Sequence, residues 1–292
     1  MIASSRRSEL SADERYCEEL TRREAKNFYW GFIALPRQKR LAIYALYSFA
    51  RQVDDAIDLR GREIGSESGP RDRFATHRER LEECFAGRAH DPVMRMLAQV
   101  VARYGIPRAD LEALIEGVEM DINLTRYESW EELRTYCRHV ASSVGRMCVR
   151  IFGFTDPAAL GCADDLGVAM QLANILRDVR EDRELGRIYL PQDDLRHFGV
   201  SEQTLLDGAP GAEWELLMHH EIERTRSLFL SGLGVSSFIP RRSAACVFTM
   251  AGIYQGIIEE IARDPYLPLT RRASLGGREK LSVMFKSWLR AV

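Results

Sequence analysis

The stretch Phe49–Leu59, FARQVDDAIDL, decides how this chain is read. Its upstream half, QKRLAIYALYSFARQ (38–52), repeats apolar residues at helical spacing, with Leu41, Ala45, Phe49 and Val53 on one side. The helix then meets Asp54, Asp55 and Asp58. Asp54 and Asp58 are four apart, so on a helix both carboxylates stack on one face. Like charges at that spacing cost a few tenths of a kcal/mol even when exposed. Val53, Ala56 and Ile57 flank them, which leaves little purely polar surface, although an Arg51–Asp55 pair on a solvated face is the plainer reading of any single such motif.

The pattern recurs. LANILRDVREDRELGRIYLP (172–191) holds Asp178 and Asp182, again four apart and again after an apolar helix. One such pair is common on charged faces; two facing each other in a helical bundle would put four carboxylates in one cavity. That is unfavourable unless cations are bound there. An all-oxygen cluster suits magnesium or manganese rather than zinc, and magnesium draws its remaining ligands from water and substrate phosphates. The spacing therefore predicts a phosphate-bearing substrate. Arg51, Arg177, Arg180 and Arg187 lie beside the pairs, and arginine matches diphosphate oxygens. Asn174, one turn before Asp178, adds an oxygen on the same face.

The rest of the chain is predicted helical almost throughout. RADLEALIEGVEMDINL (108–124) follows Pro107; SWEELRTYCRHVASSVGRMCVRIFGF (129–154) opens on a Ser cap and an acidic turn; DPAALGCADDLGVAMQLANILRDVRED (156–182) opens on Asp-Pro. AEWELLMHHEIERTRSLFLSGL (212–233) and RRSAACVFTMAGIYQGIIEEIAR (241–263) are two further helices. Loops are expected at 61–70, near Gly105, at 186–199, at 207–211 and at 266–277, and the first is expected to form a mobile lid. No period-2 stretch or hairpin signal appears. The expectation is one all-α domain spanning 1–292.

Bulk properties exclude other classes. A net charge of −2 offers no field for nucleic acid. The six cysteines form no CxxC pair, which points to a reducing cytoplasm. The first residues, MIASSRRSELSADERY, lack the apolar segment of a signal peptide, and no apolar run approaches a membrane span, so membrane contact is expected to be peripheral, at the inner face. His219-His220 lacks a metalloprotease spacing and reads as a solvated face. Glu116, Glu119 and Asp121 read equally as support for the site or as surface. The C-terminal REKLSVMFKSWLRAV (278–292) is amphipathic and basic, with packing on the body favoured over membrane contact.

At NFYWGFIALPRQKRLAIYALYSFARQVDDAID, YCRHVASSVG, AMQLANILRDVREDRELGRIYLPQDDL and IYQGIIEEI with RRASL, the chain resembles the squalene and phytoene synthase family, over nearly its whole length. The resemblance implies an all-helical prenyl synthase fold with a central cavity, and head-to-head condensation of two prenyl diphosphates. Within the family it looks most like bacterial hopanoid-pathway enzymes that act on farnesyl diphosphate. Phytoene or dehydrosqualene synthase is the alternative, and a non-catalytic partner subunit or a terpene cyclase the readings of other kinds. The resemblance implies that Asp54, Asp58, Asn174, Asp178 and Asp182 bind magnesium, with Gln171 a turn before. It implies that Arg51, Arg177, Arg187 and Arg271 contact diphosphate. Tyr47, Tyr136, Tyr189 and Tyr254 match tyrosines around the reacting groups, and Val140, Ala141, Val144 and Gly145 match a small-residue tunnel lining. Ala25 stands where many members carry a hydroxyl. NADPH is implied if the chain completes the reduction to squalene, and other hopanoid-pathway enzymes are implied partners. No dinucleotide-binding GxGxxG follows a strand. Phe28 and Phe32, with Tyr44 on the next helix, are expected to close the tunnel and favour C15 over C20 chains.

Overall fold

The computed structural model describes residues 10–25, 28–56 and 70–291. Its helices are α1 (Ala12–Glu24), the single turn α2 (Tyr29–Phe32), α3 (Arg37–Asp54), α4 (Pro70–Phe85), α5 (Pro92–Tyr104), α6 (Arg108–Asn123) and α7 (Trp130–Cys137). A π turn, Arg138–Ser142, leads from α7 into α8 (Ser143–Phe152). There follow α9 (Ala158–Arg177), α10 (Val179–Glu184), α11 (Gln192–Phe198), α12 (Glu202–Leu206), α13 (Glu213–Gly232), α14 (Arg241–Arg263), α15 (Leu267–Thr270) and α16 (Gly277–Ala291). Among the described residues there is no strand, only an isolated bridge between Arg126 and Ile188.

Local chemistry sets the helix starts. Ser11 and Glu14 form a reciprocal capping box at 3.1 and 2.8 Å. Asp91 caps α5 ahead of Pro92, and Gly105 ends it at φ +61°, where a side chain would be strained. Asp156 Oδ1 accepts from Ala158 N at 2.8 Å at the start of α9.

Helix α9 forms the hub, with α13, α8, α14 and the π turn packed around it. Two glycines allow this. A methyl on Gly167 would lie 2.5 Å from Ser142 Cα, and one on Gly232 2.5 Å from Leu166 N. Backbones thus approach too closely for any side chain.

Three sequence expectations change. The second aspartate pair does not lie on one unbroken helix: α9 ends at Arg177, Asp178 takes φ −102° and ψ 16°, and α10 restarts at Val179. The Asp182 N to Asp178 O bond, 2.9 Å, still keeps the two a turn apart. The expected loop at 186–199 contains helix α11, started by Pro191, and the loop at 266–277 contains the short α15. The expected lid at 61–70 falls almost wholly outside the described residues, as does Asp58.

Candidate active site

A cavity of about 490 Å³ runs down the bundle axis. Helix α3 lines it with Ile43, Leu46, Tyr47, Ala50, Arg51 and Asp54. Helix α9 lines it with Ala163, Leu166, Gly167, Met170, Gln171 and Asn174, at the same i, i+3, i+4, i+7, i+8, i+11 spacing. That spacing is one face of a 3.6-residue helix. On both helices the face is apolar at the N-terminal end and polar at the C-terminal end. Helix α6 repeats the trend with Val118 and Asp121. The α7–α8 segment runs the other way, from Tyr136 through Val140, Ala141, Val144, Gly145 and Cys148 to Phe152. From Ile43 to Asp54 the wall rises roughly 16 Å. One end is therefore aliphatic and the other is a polar mouth.

The mouth concentrates negative charge. The C-terminal ends of α3 and α9, and the last turn of α6, point there, and each helix end carries about half a negative charge in addition to its carboxylates. Asp121, which the sequence left undecided, is central. Tyr136 and Tyr189 hydroxyls donate to its two carboxylate oxygens at 2.9 and 2.8 Å, and Arg187 Nη2 donates to its carbonyl at 3.0 Å. Burial raises its pKa against those contacts. Tyr136, Tyr189 and Tyr127 form one stacked cluster with centroids 5.3–5.8 Å apart. The Arg126–Ile188 bridge, with Ile188 N donating to Thr125 O at 3.0 Å, brings the strand-like segment carrying Tyr189 to this cluster.

Asp178 and Asp182 differ. Arg177 grips Asp178 at 2.7 and 2.5 Å, and Arg272 adds contacts at 2.7 and 3.0 Å. Asp182 has burial against it, then the charges of Asp178 and Asp121, and its carboxyl is pushed up to about 7. It borders a water-sized hollow with Arg187 and Tyr189 rather than the main cavity. Asn174 Oδ1 is buried and has no hydrogen-bond partner, while its amide donates to Gln171 Oε1 at 3.3 Å. An orphaned carbonyl oxygen beside carboxylates is the donor chemistry of a hard-cation site.

Of the residues singled out in the sequence, Phe28, Phe32, Tyr47, Arg51, Asp54, Tyr136, Val140, Ala141, Val144, Gly145, Gln171, Asn174 and Arg187 line the cavity. Arg51 also pairs with Asp55. Tyr254 packs behind Phe28 at 5.8 Å and under the Arg177 guanidinium at 6.0 Å. Arg271 turns outward to Glu260 at 3.2 Å, and its neighbour Arg272 reaches Asp178. The aromatic closure sits differently from expectation. Phe28 and Phe32 stack along a side wall, 6.4 Å apart, and Tyr44 lies behind Phe32 outside the lining. Phe152 occupies the floor, where Lys39, near the start of α3, donates to its carbonyl. Glu119 and Glu116 face Arg78 and His139 on the surface. Arg272 and Phe152 were missed, and Asp121 was left undecided; its apolar flanks, Met120 and Ile122, hinted at its position.

Comparison with known proteins agrees with this architecture. Residues 21–279 match the model of the squalene/phytoene synthase family. A phytoene synthase of Mycobacterium tuberculosis is 37% identical over 279 residues, covering 94% of this chain and 90% of its own. A 15-cis-phytoene synthase of Synechocystis is 36% identical, covering 96% and 86%. Among solved structures, a squalene synthase of Alicyclobacillus acidocaldarius superposes with a TM-score of 0.81 at 31% identity, covering 88% and 95%. A dehydrosqualene synthase in complex with ligand gives 0.85 at 28%, covering 96% and 97%. With its fold, its cavity and these matches in agreement, the chain belongs to the squalene/phytoene synthase family of prenyl-transferring enzymes.

Proposed function

We propose that this enzyme condenses two molecules of farnesyl diphosphate head to head into presqualene diphosphate. The observation that carries this is the axial cavity itself, aliphatic for most of its depth and ending at a mouth of carboxylates, arginines and Asn174. The C15 choice is supported by the Phe152 floor and by the likeness to a solved squalene synthase. A second reading, geranylgeranyl diphosphate to phytoene, is supported by the higher identity to relatives named phytoene synthase.

In the proposed reaction the C1–O bond of one substrate breaks and its electron pair leaves with the diphosphate. The double bond of the second substrate attacks that carbon, and loss of one proton closes a cyclopropane. Arg51, Arg187 and the Arg177–Arg272 pair around Asp178 hold diphosphate oxygens. Asp54, Asn174, Asp178 and Asp182 would hold magnesium or manganese, with Asp58 expected alongside; the bare Asn174 Oδ1 fits that role. When bound, the cations stabilise the departing diphosphate. Val140, Val144, Leu166 and Met170 keep water from the allylic cation. Burial pushes the Tyr47 hydroxyl up to about 12 and that of Tyr136 well above its ordinary value. Both rings therefore stay neutral and offer π faces, roughly 0.5–2 kcal/mol per contact to a nearby cation. Tyr136 is held in place by Asp121.

Incubation with each prenyl diphosphate and magnesium, with and without NADPH, followed by mass spectrometry, tests this. The expected product without NADPH is presqualene diphosphate, with squalene appearing if the chain also uses hydride. Preference for the C20 substrate with a proton-loss product would establish the phytoene reading. Absence of metal-dependent diphosphate release from either substrate would point to a non-catalytic subunit.

A further inference from the structure

Helix α16 turns an apolar face away from the protein. Leu281, Phe285, Trp288 and Leu289 follow i, i+4, i+7, i+8 spacing, which is one helical stripe. They are 47, 66, 45 and 63% exposed. The helix cannot roll to hide them, because its other face is fixed. Val283 sits in the notch left by Gly252 of α14, where a methyl would come within 2.7 Å of Val283 Cγ1. The Arg290 guanidinium lies 4.3 Å from the Phe248 ring centroid, and Arg241 Nε donates to Ala291 O at 2.7 Å. Ser287 is buried on the same side.

The stripe is flanked by positive charge. Arg278, Lys280 and Lys286 stand on this helix beside the stripe, against the single acid Glu279, in a chain whose net charge is −2.

We infer that α16 is the docking surface of this enzyme for an anionic lipid bilayer, lying flat in the headgroup region with Phe285 and Trp288 inserted. A large-ringed apolar stripe with basic flanks is what such an interface binds. A second copy of the chain fits less well. A 15-residue helix offers roughly 22 Å by 10 Å, a fraction of the ~800 Å² per partner of a stable interface. A two-fold contact would also set these cations against one another. The surface lies next to a segment that lines the cavity. The single turn α2 packs against both α14 and α16, sends Phe32 into the cavity and turns Ile33 out, 46% exposed.

The test is sedimentation of the full chain with vesicles of phosphatidylcholine alone or mixed with phosphatidylglycerol, without substrate, so that the result is independent of the proposed reaction. The wild type is expected to pellet with the anionic vesicles, less so as salt rises. Arg278→Gln and Lys286→Gln are each expected to weaken that binding about fivefold. Phe285→Ser with Trp288→Ser is expected to weaken it more than tenfold. Thermal melts confirm that the variants fold, and turnover of detergent-dispersed substrate is expected to be unchanged. Loss of blue-shifted tryptophan emission in Trp288→Phe would place that ring in the lipid. Failure of the wild type to pellet, or equal binding by the Phe285→Ser, Trp288→Ser variant, overturns the inference. So does a dimer in sedimentation velocity that the same variant dissociates, which would assign the face to a second copy.

Discussion

Gly167→Ala tests the packing that shapes the cavity. The added methyl would sit 2.5 Å from Ser142 Cα, 2.6 Å from Ser142 N and 2.9 Å from the Ala141 carbonyl carbon. Carbon pairs rest at about 3.5–4.0 Å, so α9 and the π turn must part by roughly 1 Å. The obstacle is backbone, and no rotamer change relieves it. The Ser142 Oγ to Asp164 O bond, 2.7 Å, clamps the same seam and is stretched by the move. Overpacking of this kind costs about 1–3 kcal/mol. The seam also sets Gln171 and Asn174 against Tyr136 across the cavity, and an error of about 1 Å in such a site lowers turnover by up to ~100-fold. Gly161→Ala is the control on the same helix. Its methyl meets nothing within 4 Å, so it is expected to stabilise by about 0.5–1 kcal/mol through lost chain entropy. Urea denaturation and steady-state turnover of both variants provide the comparison. A Gly167→Ala protein as stable and active as the wild type would refute the close α9–π-turn contact. Equal damage from Gly161→Ala, whose methyl meets open space, would likewise refute the contact as the cause.

The two aspartates of the second pair are expected to separate in stability though both abolish turnover. Asp178→Asn strands the buried Arg177 and lowers stability by about 1–3 kcal/mol, whereas Asp182→Asn removes a buried, repelled carboxyl and raises the melting temperature. A melting temperature that rises in Asp178→Asn would contradict this. Phe152→Ala removes the cavity floor. It is expected to raise the C20-to-C15 ratio of kcat/KM at least tenfold at a stability cost of about 3–5 kcal/mol, and an unchanged ratio would locate the floor elsewhere. Glu221 of α13 is fully buried, and burial pushes its carboxyl up to about 8 even though Arg224 donates to it at 2.6 Å, a guanidinium it shares with Asp194 at 2.8 Å. Its folded pKa lies above the ordinary value of 4.5, so the folded state binds the extra proton. Stability from this group is full below pH ~4.5 and lost as pH rises through about 8. Glu221→Gln should flatten that decline by on the order of a few kcal/mol, read from denaturation midpoints across the range. Parallel profiles for variant and wild type would show Glu221 to be ionised throughout.

Residue spacing alone gives most of the helices and the polar ends of two of them. The 3.6-residue repeats in 38–53 and 158–177 are backbone geometry, and they already place Asp54 and Asn174 on the same stripe as the aliphatic lining. Spacing shows the mutual repulsion within each pair but cannot show that Arg177 and Arg272 already neutralise Asp178. Arg272 and Arg271 are adjacent, and only the path of the chain after α15 decides which one reaches inward. Asp121 became central through the rotation of α6 and the pairing of Ile188 with Thr125, a contact between segments 63 residues apart (188 − 125). Phe152 became the floor because α8 runs antiparallel to α3, and the outward face of α16 exists because Gly252 fixes the helix against α14. Periodicity is local and survives in the sequence. Which face of each helix meets which neighbour is set by close contacts between distant segments, and only the folded chain contains those.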